Sequence, residues 1–238
     1  LGMTPVLVDV DPYTFNIDPK QIKEAINSNT RAIIAVHLFG QSCDMAPILQ
    51  LAEKHNLYVV EDNAQSIGAD YTFPDGHTQK TGTMGHIGTT SFFPSKPLAC
   101  YGDGGAIFTH NPQWAEQLKM IANHGQKNKY YHQMIGCNSR LDTLQAAILD
   151  VKLKYLDSFN KARQKVAARY DEAFASLDGV VTPKQSPFSS HVYHQYTLQL
   201  SPDKRDDVRA YLKENGVPSM VYYPLPIDEQ EAYRQITR

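Results

Sequence analysis

The sequence predicts an α/β protein: a large domain over 1–150 on a mostly parallel sheet, then a long connecting helix and a small α+β domain over 151–238. Three observations predict it. Short runs of Val, Ile, Leu and Ala alternate with amphipathic helical patterns in the first half of the chain, the mark of a parallel sheet covered on both faces. Beyond residue 150, one long helical pattern gives way to isolated strand and helix segments. With 238 residues, the chain can bury one large core or two modest ones.

The elements follow in order. Val6-Leu7-Val8-Asp9-Val10 reads as a first strand, turned by Asp11-Pro12-Tyr13. Asp18 caps a helix with Pro19 at its first position, and Ile22, Ala25 and Ile26 make its buried stripe. A strand over 32–36 comes next, then a helix capped by Asp44 that buries Ile48, Leu49 and Ala52, then a strand over 57–60. A glycine-rich turn, Tyr101-Gly102-Asp103-Gly104-Gly105, leads into the strand Ala106-Ile107-Phe108. Asn111-Pro112 starts a helix through Trp114, Leu118 and Ile121, and the basic, aromatic loop over 124–132 reads as a ligand or subunit contact. From Leu141, apolar residues three and four apart predict a long helix that ends at Asp178-Gly179. A strand over 193–200, a helix over 203–215 closed by Gly216, and a short segment around Met220-Val221-Tyr222-Tyr223 complete the chain.

Composition narrows the function classes. A net charge of −2 steers the chain toward neither nucleic acid nor an anionic membrane. No unbroken apolar run approaches the ~18 residues that span a bilayer. Cys43, Cys100 and Cys137 are widely spaced and form no metal-ligand pattern with the histidines, so no metal site and a reducing, cytoplasmic setting are expected. Leu1 is no initiator and no targeting signal follows it, so the chain reads as a fragment whose amino-terminal segment lies outside this sequence.

The chemistry collects where strands end, because ligands of such sheets gather at the strands' carboxyl ends. His37, Asp62 and Ser91 each stand at or just past such an end. Lys96, in Ser91-Phe92-Phe93-Pro94-Ser95-Lys96-Pro97, sits between an apolar strand end and a glycine turn. Partial desolvation there lowers an amine's pKa and frees it for a Schiff base. A lysine and a strand-end carboxylate together suggest pyridoxal phosphate. The bland readings are a solvated surface lysine, an Asp62 that caps the following turn, and an Asn138 and Arg140 that cap the long helix. His37, His191 and His194 read as satisfied structural histidines.

Five collinear segments resemble the DegT/DnrJ/EryC1/StrS sugar aminotransferases of fold type I, the aspartate-aminotransferase-like fold. They are Val36-His37-Leu38-Phe39-Gly40-Gln41, the run from Glu61-Asp62-Asn63-Ala64-Gln65 to Ala69, Ser91 through Lys96, Tyr101 through Phe108, and Gly136-Cys137-Asn138-Ser139-Arg140 through Ala147. The resemblance implies that Lys96 forms the Schiff base and shuttles the proton. It implies Asp62 against the pyridine nitrogen, Gln65 on the phenolic oxygen, Ser91 on the phosphate, and Asn138 on the phosphate of a partner subunit's cofactor. A homodimer with shared active sites follows from that. Arg140 is implied as a carboxylate contact for glutamate, the amino donor, and Tyr223 as a substrate contact. The implied acceptor is a nucleotide-linked keto sugar aminated at C3 or C4, in amino-sugar or surface-polysaccharide synthesis. The segment Tyr222-Tyr223-Pro224-Leu225-Pro226-Ile227-Asp228 ends in aspartate where many members have histidine, and His86 stands where many have aspartate. Two alternatives remain: a dehydratase of the same family, which carries histidine at the lysine position, and a non-catalytic cofactor-binding or dimerising remnant.

Overall fold

The computed structural model describes residues 2–234. Helix and strand alternate as α1 (Pro19–Ala25), β1 (Ala32–Val36), α2 (Met45–His55) and β2 (Tyr58–Asp62), followed by a hairpin of β3 (Asp70–Thr72) and β4 (Thr78–Lys80). Then come β5 (Ile87–Ser91), β6 (Gly105–Phe108), α3 (Pro112–Ala122), and a small hairpin of β7 (Gln126–Asn128) and β8 (Tyr131–His132). The carboxyl part holds α4 (Thr143–Leu153), α5 (Leu156–Phe174), β9 (Val180–Val181), β10 (Gln199–Leu200) and α6 (Pro202–Glu214). β1, β2, β5 and β6 form one sheet in that order, the first three parallel and β6 antiparallel.

Alternating burial fixes which way the sheet faces. Ile33, Ala35 and Val59 point into a core closed by Ile22 of α1 and by Met45, Ile48 and Ala52 of α2. Each Val, Ile or Met among them, fully buried, contributes roughly 1.5–3 kcal/mol. The other face is only partly covered among the described residues: Ile34 is 62% exposed and Tyr58 55%, although Tyr58 meets Trp114 of α3 edge-on at 5.7 Å. A second cluster, Phe92, Leu98, Cys100, Leu149 and Leu156, lies behind the loop that follows β5.

Four expectations need correction. Residues 6–10 form no strand; apart from the bridge Val10 to Ile17, they run past the core while Asp11 closes a tight turn by accepting from the Tyr13 and Thr14 amides. The long helix is two, broken at Lys154 and Tyr155, which lets both Leu149 and Leu156 enter the cluster around Phe92. Of the strand over 193–200 only β10 forms, antiparallel to β9. Tyr193 has φ 48, outside any strand, and 192–195 instead pack as irregular chain on Phe39 and Gly40, with Val192 N–H donating to Gly40 O at 2.7 Å. Gly40 permits this approach, since a Cβ there would stand 2.7 Å from Tyr193 N. Finally, Asp44 holds the N-cap position of α2 without bonding its amides. Its carboxylate accepts from the Tyr71 hydroxyl at 2.6 Å, and that hydroxyl accepts the Ala46 N–H at 2.9 Å, so the cap is relayed.

Candidate active site

Three parallel strands deliver Val36, Asp62 and Thr89 in register at their carboxyl ends, with Ser91 one turn of the pleat further on. Asp62 is held from both sides of its residue: its carbonyl accepts from His37 N at 3.0 Å, and its Oδ1 accepts from Ala64 N at 3.0 Å. The second carboxylate oxygen bonds nothing among the described residues. Gln65, three residues on, is buried, and its Oε1 accepts the Phe39 N–H at 2.7 Å. That bond orients the amide, leaving its NH2 to donate to the Tyr223 hydroxyl at 3.4 Å. Tyr223, 158 positions away in sequence, is thereby drawn to the same site.

Lys96 is carried on a loop with a fixed base. Phe92 N donates to Gly104 O at 2.7 Å and Cys100 N to Phe92 O at 2.8 Å, while Lys96 N closes a turn on Phe93 O at 2.9 Å. Burial pushes the Lys96 amine below its ordinary pKa, and the opposing charge of Asp62 recovers part of that loss. Lys96 is half-buried, with Asp62 as its counter-charge. Ser91 Oγ accepts the Phe93 N–H at 3.2 Å at the start of the same loop.

Beneath this site lies a closed hydrogen-bond network around a buried carboxylate. Glu61, fully buried on the opposite face of β2 from Asp62, accepts from Met84 N at 2.6 Å and Gly85 N at 2.5 Å through Oε1. Its Oε2 accepts from Gly82 N and His37 Nε2, both at 2.8 Å. Burial opposes the charged form, but the His37 bond and the amides outweigh it and hold the carboxyl below its ordinary range. His37 Nδ1 accepts the Cys43 N–H at 3.0 Å, so the network assigns the proton to Nε2. His37 is the satisfied structural histidine its sequence position suggests.

Asn138 and Arg140 belong to a different place. With Ser139, Leu141 and Asp142 they line a trough of about 1160 Å³ between β6 and α3, and Lys96 is not part of its wall. Both are exposed; Arg140 Nη1 donates to Asn123 Oδ1 at 3.0 Å, and Asn138 bridges Asn123 through the backbone. Neither caps α4, whose N-cap is Asp142.

His194, expected to be a satisfied structural histidine, makes no side-chain hydrogen bond among the described residues, and Arg163 is a half-buried cation that sequence reasoning passed over. His194 has its pKa pushed down to about 4 by burial and by the nearby charges of Lys96 and Arg163, so its imidazole is neutral at neutral pH. Arg163 lies on the inward face of α5. The signal that could have found it is helical phase: Leu156, Asn160, Arg163, Gln164 and Ala167 share one face, and the polar members of a face that should be apolar need a reason.

These residues fit pyridoxal phosphate. Asp62 has one carboxylate oxygen without a partner among the described residues, Lys96 has an amine depressed by burial and countered by Asp62, and Gln65, three residues from Asp62, is locked by the Phe39 N–H. A sequence model of the DegT/DnrJ/EryC1/StrS aminotransferase family matches residues 1–238. Among curated proteins, the chain is 48% identical to a pleiotropic regulatory protein of Geobacillus stearothermophilus, across 99% of this chain and 62% of that one. It is 47% identical to the UDP-2-acetamido-2-deoxy-3-oxo-D-glucuronate aminotransferase of Pseudomonas aeruginosa, across 98% and 62%. Among solved structures it superposes on DesV of S. venezuelae, described in complex with a ketimine intermediate, with a TM-score of 0.92 and 38% identity, covering 98% of this chain and 61% of that one. The chain thus spans about three fifths of the length of the relatives it matches. It belongs to the DegT/DnrJ/EryC1/StrS aminotransferase family.

Proposed function

We propose that the chain serves a pyridoxal-phosphate-dependent transfer of an amino group from glutamate to the C3 or C4 ketone of a nucleotide-linked sugar. The observation that carries this reading is the half-buried Lys96 amine, depressed by burial and countered by Asp62, at the carboxyl ends of parallel strands. When bound, the cofactor supplies an electron sink for a carbon losing its proton. Asp62 would keep a proton on the ring nitrogen, where an ionised carboxylate is the natural acceptor. Gln65, held by Phe39 N–H, would present its NH2 to the phenolic oxygen, and the Tyr223 hydroxyl beside it would reach toward substrate. Ser91 would donate to the phosphate, and Lys96 would carry the proton between cofactor and substrate carbons. Lysine at this position disfavours the dehydratase reading, which requires histidine there.

Asn138 and Arg140 fit a role across a dimer interface. Both are exposed away from the Lys96 loop, and the neighbouring Ile135 is 98% exposed. Asn138 would then reach the phosphate in a second subunit and Arg140 a carboxylate of the donor, so that two chains complete each site.

The test uses the full-length protein with pyridoxal phosphate. A visible band from a lysine-bound cofactor is expected, lost in Lys96→Ala and bleached by glutamate. A band that survives Lys96→Ala refutes the role of Lys96, and a band indifferent to glutamate and to other amino donors favours the non-catalytic reading.

A further inference from the structure

Asn16 is a polar side chain only 4% exposed, and it stands outside the strand-end site. Its side-chain partners all lie on one loop. Asn16 Oδ1 accepts the Leu38 N–H at 2.8 Å, and its Nδ2 donates to Gln41 O at 3.3 Å and to Ser42 O at 3.1 Å. One amide thus grips both ends of the turn that follows β1. The grip is itself anchored, because Asn16 O accepts the Asp11 N–H and Asp11 O accepts the Phe15 N–H, both at 2.8 Å. Beside it, the Phe15 ring meets the Phe39 ring edge-on at 5.3 Å.

Between the gripped ends the backbone is left-handed, with φ 59 at Phe39 and 124 at Gly40. Glycine adopts this freely, whereas a residue as bulky as Phe39 is strained there. Such strain persists only where the surroundings over-determine it, and it gathers at functional sites. The strained residue is also the one that reaches the candidate site: its N–H donates to Gln65 Oε1 at 2.7 Å. The two ends of a glutamine amide are nearly the same size, and it is this donor that tells oxygen from NH2. If the Phe39 N–H moves away, the amide is free to flip, and it then offers an acceptor where a donor stood.

We propose that Asn16 is a positioning residue for Gln65: by closing the 38–42 turn it holds the Phe39 N–H on Oε1 and keeps the Gln65 NH2 turned toward the cofactor's phenolic oxygen. The inference rests on the aminotransferase reading. Asn16 hydrogen-bonds neither Gln65 nor Lys96 among the described residues, so its influence passes through the turn. The stretch before α1, which forms no strand, thereby acquires a task at the site.

The experiment titrates the visible band of the full-length holoenzyme with pH. Proton loss from the lysine-bound cofactor leaves more negative charge on the phenolic oxygen, so a donor to that oxygen lowers the midpoint. Gln65→Ala should raise the midpoint by about 0.4–1 pH unit, the loss of one hydrogen bond. Asn16→Ala should raise it in the same direction, and the double variant should shift no further than Gln65→Ala alone, because both act through one amide. Where Asn16→Ala fails to fold, Asn16→Ser, which can serve one partner at a time, takes its place in the same comparison. A folded Asn16 variant with the wild-type midpoint overturns the inference, since a purely structural role lowers the thermal midpoint without moving the band. A shift that adds to that of Gln65→Ala overturns it too, and so does a Gln65→Ala that leaves the midpoint unmoved. If wild type forms no band, the aminotransferase reading falls first. The clamp is then judged in the cofactor-free protein by hydrogen exchange, where the Phe39 amide should exchange about 10-fold faster or more in the Asn16 variant, and equal rates overturn it.

Discussion

Glu61→Gln replaces one atom by another of nearly the same size, yet it should destabilise the fold severely. Both carboxylate oxygens of Glu61 act only as acceptors: Oε1 for Met84 N and Gly85 N, Oε2 for Gly82 N and His37 Nε2. An amide offers one acceptor oxygen, so whichever way it flips, its NH2 faces two N–H donors. His37 cannot yield by changing tautomer, since its Nδ1 is occupied by the Cys43 N–H at 3.0 Å. Whichever way the amide sits, two buried N–H donors lose their acceptor, at about 1–3 kcal/mol each, so the loss is about 2–6 kcal/mol. With a urea m-value of ~3 kcal/mol/M for a chain of this size, the midpoint should fall by about 0.7–2 M. Equilibrium urea unfolding followed by far-UV circular dichroism measures this at neutral pH. A midpoint within about 0.3 M of wild type would refute the reasoning.

The same substitution has a pH signature. The folded pKa of Glu61 is lowered from its ordinary 4.5, so the stability it contributes is present above that value and is lost as pH falls through the folded pKa. The gap between wild type and Glu61→Gln should therefore be widest near neutrality and should close in acid. A gap that stays constant down to acid unfolding contradicts the ionised state assigned to Glu61.

Other outcomes are expected elsewhere. Tyr71→Phe removes the hydroxyl between Asp44 Oδ1 and Ala46 N, and should cost about 1–2 kcal/mol by urea titration; no loss would mean that Asp44 caps α2 unaided. Gly88→Ala pushes a methyl group into the carbonyl of Gly82, on the strand that leads to Ser91, and should cost about 1–3 kcal/mol or more; a thermal midpoint equal to wild type would show the 82–85 loop to be free to move.

Much of the framework was legible because its signals are local. Asp18-Pro19 and Asn111-Pro112 start helices where the sequence says, with Asp18 accepting from Lys20 N and Asn111 from Gln113 N and Trp114 N. The strand over 32–36 is β1 as drawn. What failed was non-local. Val6 to Val10 has strand composition, but a strand needs a neighbour, and only Val10 has one, the Ile17 bridge. The hairpin of β3 and β4 went unread although Pro74-Asp75-Gly76 punctuates it, with Gly76 at φ 90 as such a turn requires. Tyr193 has β-forming neighbours, and its φ of 48 is imposed by docking on Gly40, which no local pattern encodes.

The site divides along the same line, and the division explains what kind of residue was missed. Asp62 and Ser91 stand at strand ends, and Lys96 and Gln65 a few residues beyond, where the rule for parallel sheets looks. Arg163 stands on a helix whose polarity, in one dimension, resembles a solvated face. Only the phase of Asn160, Arg163 and Gln164 with buried Leu156 and Ala167 turns that polarity inward. The interior reinforces the distinction. The buried network of Glu61 and His37 closes every bond it offers, as a part of the fold must. Among the described residues, the buried side-chain atoms without a partner are Asn63 Oδ1, Asn160 Oδ1, Gln195 Oε1 and Arg209 Nε, none of them in that network.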